Sequence, residues 1–306
     1  MTTAVTEADS DQGVRRFIRR HPYLSFLLIF NTVGQAAAFV PVIAKRVYGV
    51  EVGIDLWLIV PTLLFLLLPA LVITRIARGR DGLRRLVRSM FRFRVNARWY
   101  LLPLLAVPAL TLVTALPAPP DVTVQRIVVV YLTTFLPALL FQFLTTNWWE
   151  ETVWLGFFQA PLQDRFGPWR AVLLTTPFFA LEHISLVFGG TVGEGLIQFA
   201  LILLVTLPAR ALLAWVYNRT GSLALAGLVH AASNAAGLSL VPQLFHSPGG
   251  GGSALLLLGI VVIVATRGRL GLPTRRRRPA APITPPDSTN PAAAPPAAEA
   301  PTPSKR

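Results

Sequence analysis

Long apolar runs alternate with short arginine-bearing segments along most of the chain. The runs lie at 24–43, 56–74, 100–116, 124–147, 170–189, 195–216, 221–240 and 253–266. A helix crossing the hydrocarbon core needs roughly 20 mostly apolar residues at about 1.5 Å each. The pattern therefore predicts eight transmembrane helices, of which the third and the last are short. The fourth is expected to continue as helix to about residue 163, because no strong breaker comes after Pro137. The expected fold is all-α: a polytopic membrane protein of about eight helices enclosing a polar intramembrane site.

The basic residues orient that bundle. Arg15, Arg16, Arg19 and Arg20 precede the first run, and nine arginines from Arg75 through Arg98 lie between the second and third. Arg165 and Arg170 come after the fourth run, Arg219 after the sixth, and Arg267, Arg269 and Arg275 through Arg278 after the eighth. The opposite connections hold Lys45, Arg46 and Arg126. With eight spans every arginine-rich segment falls on one side, so both termini are expected in the cytoplasm and the protein in a plasma membrane, of bacterial type. Ala36–Ala38 resembles a signal-cleavage site, but the apolar stretch continues through Phe39–Ile43, and an uncleaved first span is the expectation.

The chain divides into three regions. Residues 1–20 form a cytoplasmic segment, partly disordered, and residues 21–270 form the transmembrane domain. Residues 271–306, rich in Pro and Ala, form a disordered cytoplasmic tail. Within the domain, 78–98 spaces Leu83, Leu86, Val87, Met90 and Phe91 helically between arginines. This predicts an amphipathic helix on anionic lipid.

Composition narrows the function classes. The chain is 53% hydrophobic and 14% charged, too apolar for a soluble globular enzyme or a disordered chain. Its net charge of +14 is accounted for by topology, so the partners are the lipid bilayer and no nucleic acid. The absence of cysteine excludes disulfides, zinc–thiolate sites, iron–sulfur clusters and thiol nucleophiles.

Ionisable groups inside a span are costly and point to function. Glu150 and Glu151 end the fourth run, Glu182 and His183 lie in the fifth, and His230 lies in the seventh with Asn234 four residues on. Counted from Arg165, Arg170 and Arg219, the residues Glu150, His183 and His230 lie roughly 16–22 Å along their helices. Three spans thus bring a carboxylate and two imidazoles to a similar depth. A single polar cluster lined by Glu150, His183, His230 and Asn234, reachable from the cytoplasm, is expected.

Such a set activates water. Glu150, His183 and His230 could hold zinc with an open water position, or Glu150 could act as a metal-free base while the histidines position water. Asn234 with an imidazole could stabilise an oxyanion. The metal-free arrangement is the expectation, because a zinc-bound glutamate is not free to take a proton. No nucleophile elbow or Ser–His–Asp set is present in the spans.

Glu150-Glu151 with Trp154-Leu155-Gly156 after it, then Phe179-x-x-x-His183, then His230-x-x-x-Asn234, resembles the CPBP family. These are the CAAX proteases and bacteriocin-processing enzymes, including the type II CAAX prenyl endopeptidases. The resemblance spans roughly residues 50–240. It implies an eight-helix intramembrane endopeptidase acting on a membrane-associated peptide or protein. Glu150 would activate water, His183 would help hold it, His230 with Asn234 would stabilise the oxyanion, and Glu151 and Phe179 would support them. The pattern E-E-x-x-x-R has Leu155 at its arginine position. That departure leaves Glu151 without the motif's cation and favours an alternative, a catalytically impaired scaffold or self-immunity factor on the same fold.

Overall fold

The computed structural model describes residues 3–115, 122–187, 191–246 and 252–272. These form helices and the turns between them, with no strand among the described residues. Helix α1 spans Thr3–Arg20. Next along the chain are α2 (Pro22–Tyr48), α3 (Pro61–Met90), α4 (Ala97–Thr114) and α5 (Val124–Phe166). Then come α6 (Pro168–Glu182), α7 (Val192–Thr220), α8 (Leu223–Phe245) and α9 (Ser253–Thr266).

Six of these, α2 to α5, α7 and α8, are long and apolar enough to cross a membrane, against the eight expected. The fifth and eighth apolar runs fold as α6 and α9, with 15 and 14 residues. At about 1.5 Å per residue both fall short of a core of about 30 Å. Helix α6 stops because the chain leaves helical geometry at His183 (φ −87°, ψ 3°), before the separate turn Ile184–Val187. Helix α5 runs through Pro137 to Phe166, close to its expected end. It terminates at Gly167, whose φ of 85° suits glycine, and Pro168 opens α6.

Two segments differ from expectation. Partial disorder is expected over residues 1–20, yet α1 is helical from Thr3 through Arg20. The segment 78–98 is not one helix. Gly79 (φ 70°, ψ −169°) kinks α3, the helix resumes to Met90, and Ala97–Tyr100 already opens α4. Between kink and end the amphipathic character holds: Leu86 and Met90 are buried while Arg84, Arg85 and Arg88 are exposed. From residue 273 on, the expected tail lies outside the described residues.

Helix α8 is the centre of the bundle and the most buried of the six. Its sequence LALAGLVHAASNA is rich in small residues, which let helices approach closely where lipid supplies no hydrophobic drive. A Cβ at Gly227 would lie 2.8 Å from Trp148 Cα, so the α8 backbone touches α5 beside Glu150. A Cβ at Gly259 would lie 2.1 Å from the Pro208 carbonyl oxygen, which brings α9 equally close to α7. Helix α7 is divided in character. Leu196, Ile197, Leu201 and Leu204 are exposed in its first half, while Ala209 through Ala214 are buried in its second. The exposed half suits lipid and the buried half belongs to the core.

Candidate active site

Glu150 and Glu151 sit on a short regular stretch of α5, Trp148–Glu151, between wider i→i+5 turns at Phe143–Asn147 and Thr152–Gln159. Wide turns of this kind rotate the next part of the helix out of the normal register and cluster at functional sites. The two glutamates have different surroundings. Glu150 lines a cavity of about 490 Å³, together with Asn147, Phe179, His183, His230 and Asn234. Glu151 is fully buried in the protein.

A cation from another helix meets Glu151. Arg210 of α7, itself fully buried, donates from Nη1 to Glu151 Oε1 at 2.9 Å and to Oε2 at 2.7 Å. Its Nε and Nη2 both donate to Gln159 Oε1, at 3.0 and 2.9 Å. The guanidinium carbon also stands 5.1 Å over the Phe179 ring. A buried carboxylate without a cation is strongly destabilising, and Arg210 removes that cost here. Leu155, at the motif's arginine position, is itself fully buried among apolar residues.

The two histidines are each held through Nδ1. His230 Nδ1 lies 3.1 Å from Glu151 Oε1 and 3.6 Å from Glu150 Oε2. His183 Nδ1 lies 3.1 Å from the Phe179 carbonyl oxygen. A carbonyl can only accept, so the His183 proton sits on Nδ1 and leaves Nε2 as an acceptor. The Phe179 ring stands between them, 5.0 Å from the His183 ring and 5.8 Å from that of His230.

Glu150 has its own partner. Asn147 Nδ2 donates to Glu150 Oε2 at 2.9 Å, and Asn234 Nδ2 donates to Asn147 Oδ1 at 3.4 Å. A relay of two amides thus joins α8 to Glu150. On the far side, Glu150, Glu182 and His183 line a smaller cavity of about 50 Å³, beside Phe30 and Pro61. That volume admits a water molecule or two.

The structure therefore brings together every residue the sequence grouped: Glu150, His183, His230 and Asn234 on one cavity, with Phe179 in its wall and Glu151 behind it. Sequence reasoning missed Arg210, Asn147 and Gln159. Arg210 carried a signal, since an arginine inside the apolar run 195–216 is as anomalous as a glutamate. Asn147 and Gln159 carried none beyond their closeness to the glutamates.

The zinc alternative asks for three convergent ligands. Among the described residues no three His, Asp or Glu side chains group as a metal site. Of the carboxylates, Glu151 is taken up by Arg210 on both oxygens, while the Nδ1 contacts of His183 and His230 leave Nε2 of each facing away from those partners. Glu150, His183 and His230 do not converge as a three-ligand zinc centre.

Comparison with known proteins gives one kinship. Residues 132–236 match the family described as Type II CAAX prenyl endopeptidase Rce1-like. No curated protein and no solved structure matches the chain. The matched stretch begins in α5, ends in α8, and contains Glu150, Glu151, Phe179, His183, Arg210, His230 and Asn234. With the three motifs in order on membrane helices, residues 132–236 belong to the CPBP family of CAAX proteases.

Proposed function

We propose that this protein is an intramembrane endopeptidase that hydrolyses a peptide bond of a membrane-associated substrate with water activated by Glu150. The observation that carries the proposal is the shared cavity of Glu150, His183, His230 and Asn234. Glu150 takes a proton from a water that the free Nε2 of His183 helps to hold, and the resulting hydroxide attacks the peptide carbonyl carbon. His230 and the Asn234 amide stabilise the oxyanion that develops. The proton on Glu150 then passes to the leaving amine as the C–N bond breaks. Glu151 takes no proton in this scheme: with Arg210 on both its oxygens it serves to hold His230 through Nδ1.

The alternative of a non-catalytic scaffold or self-immunity factor drew its support from Leu155. Arg210 supplies from α7 the cation that position 155 lacks, and that support falls away. The test is cleavage of membrane-embedded peptides by purified wild type and by Glu150→Ala. Cleavage by the wild type alone is expected, and equal activity in both proteins would sink the proposal.

A further inference from the structure

The walls of the large cavity are unevenly distributed along the bundle. Arginines concentrate at one end of the contributing helices, with Arg126 near the start of α5 as the exception. Arg165 lies at the end of α5, Arg170 at the start of α6, Arg219 at the end of α7 just before α8, and Arg267 just after α9. Arg75 through Arg88 occupy the last part of α3. The lining residues lie toward the opposite ends. Leu58 precedes α3, Leu201 sits in the first half of α7, Leu238 in the last part of α8, and Gly252 and Leu255 at the start of α9. On α5 the wall continues from Glu150 back through Thr146 to Gln142, again away from Arg165. From the catalytic candidates the cavity therefore extends to the arginine-poor end of the bundle. Depth counted from the arginines alone points to the other side.

The chemistry of the wall changes along this path. Its outer part is apolar, made by Leu58, Leu201, Ile202, Val205, Leu238 and Leu255. Toward Glu150 it acquires the hydroxyl of Thr146 and the amides of Asn147 and Asn234. An unwound peptide inside a membrane protein needs both: apolar surface for its side chains and polar groups for its backbone N–H and C=O.

We infer that the substrate is an apolar peptide segment that reaches Glu150 from the arginine-poor face, which the positive-inside rule makes the outer face of the membrane. The inference rests on the endopeptidase reading for its chemistry, and on the cavity alone for its direction. Exported or outer-leaflet segments are then the substrate class, and peptides confined to the cytoplasm are not.

The chain has no cysteine, so single-cysteine labelling tests the direction without any activity. Full-length Leu58→Cys and Gln142→Cys, expressed in bacterial cells, are treated with a membrane-impermeant maleimide, with Arg88→Cys as the marker of the arginine-rich face. Labelling of positions 58 and 142 in intact cells, with position 88 labelled only after the cells are opened, is expected. Labelling of position 142 only after opening would overturn the inference. Adding Glu150→Ala to each variant should leave the labelling unchanged, since it reads access and not catalysis. In the second arm one apolar peptide reporter is either exported or retained in the cytoplasm. Loss of the exported form alone, dependent on Glu150, is expected, and cleavage of the retained form alone overturns the inference. Correct labelling with neither form cleaved would overturn the assigned substrate class and count against the endopeptidase reading, while the direction of the cavity stands on the labelling.

Discussion

Arg210 and Glu151, 59 residues apart and on different helices, form a fully buried ion pair in which one guanidinium nitrogen serves both carboxylate oxygens, at 2.9 and 2.7 Å. Through Glu151 the pair reaches His230, and through the Phe179 ring it reaches the neighbourhood of His183. Removing one member of a buried pair leaves the other charge unpaired, at a cost of about 3–5 kcal/mol, while replacing both by apolar residues is often near neutral. Arg210→Leu is therefore expected to lower the melting temperature sharply and to abolish cleavage. Arg210→Leu/Glu151→Leu is expected to recover most of the stability but no activity, because His230 then loses the 3.1 Å Nδ1 contact with Glu151 that holds it. A double mutant melting no higher than Arg210→Leu would show that the pair is not the source of the loss.

The adjacent glutamates predict opposite phenotypes. Glu150 lines the cavity and takes its hydrogen bond from Asn147, whereas Glu151 sits in the core against Arg210 and His230. Glu150→Gln keeps the shape and should melt like wild type. Its cleavage rate should fall about 100- to 10,000-fold, the usual worth of a general base. Glu151→Gln should lose both stability and activity. Thermal melts and initial rates on the same preparations separate the two, and interchangeable phenotypes would refute the division of roles.

Chelation should leave activity intact. No three His, Asp or Glu side chains converge as a metal site among the described residues, and Glu151 is committed to Arg210 through both oxygens. Preincubation with a strong chelator, and then removal of the chelator–metal complex, should leave the cleavage rate unchanged. Activity lost on chelation and restored by one equivalent of zinc would assign the catalytic water to a metal.

The clustering of the site was legible because membranes make polar residues conspicuous: Glu150, His183, His230 and Asn234 stand out in apolar runs, and counting from flanking arginines puts them at one depth. What the count could not supply was azimuth and partner. The wide turns of α5 break the simple helical register around Glu151, so a partner four residues on, at Leu155, was the wrong place to look. The cation came from α7, across the bundle, by a contact that no local spacing encodes. Two of the eight expected spans form shorter helices for a related reason. Apolar length in sequence does not show that α6 stops at His183, where the chain turns to present the imidazole to the cavity. The kink at Gly79 was equally invisible to helical periodicity, which ran on past it.

Helices α5 and α8 meet at Gly227. A Cβ there would stand 2.8 Å from Trp148 Cα, 3.1 Å from the Asn147 carbonyl oxygen and 3.2 Å from Trp148 N. All three are backbone atoms of a rigid helix, so no side chain can swing aside, and α8 itself must retreat from α5. His230 lies one turn beyond Gly227, and its Nδ1 depends on a 3.1 Å contact with Glu151 of α5. The Asn234–Asn147 contact, already 3.4 Å, spans the same joint one turn further on. Gly227→Ala is therefore expected to cost about 1–3 kcal/mol, as overpacking does, and to reduce cleavage by far more than its effect on folding. Gly193, near the start of α7, has nothing within 4 Å of an added Cβ and is the control. Gly193→Ala should be neutral or slightly stabilising, since alanine is the better helix former by about 1 kcal/mol. Melting curves and cleavage rates for the two variants decide the matter. If Gly227→Ala behaves like Gly193→Ala, close contact between α5 and α8 is not what holds His230 against the glutamates.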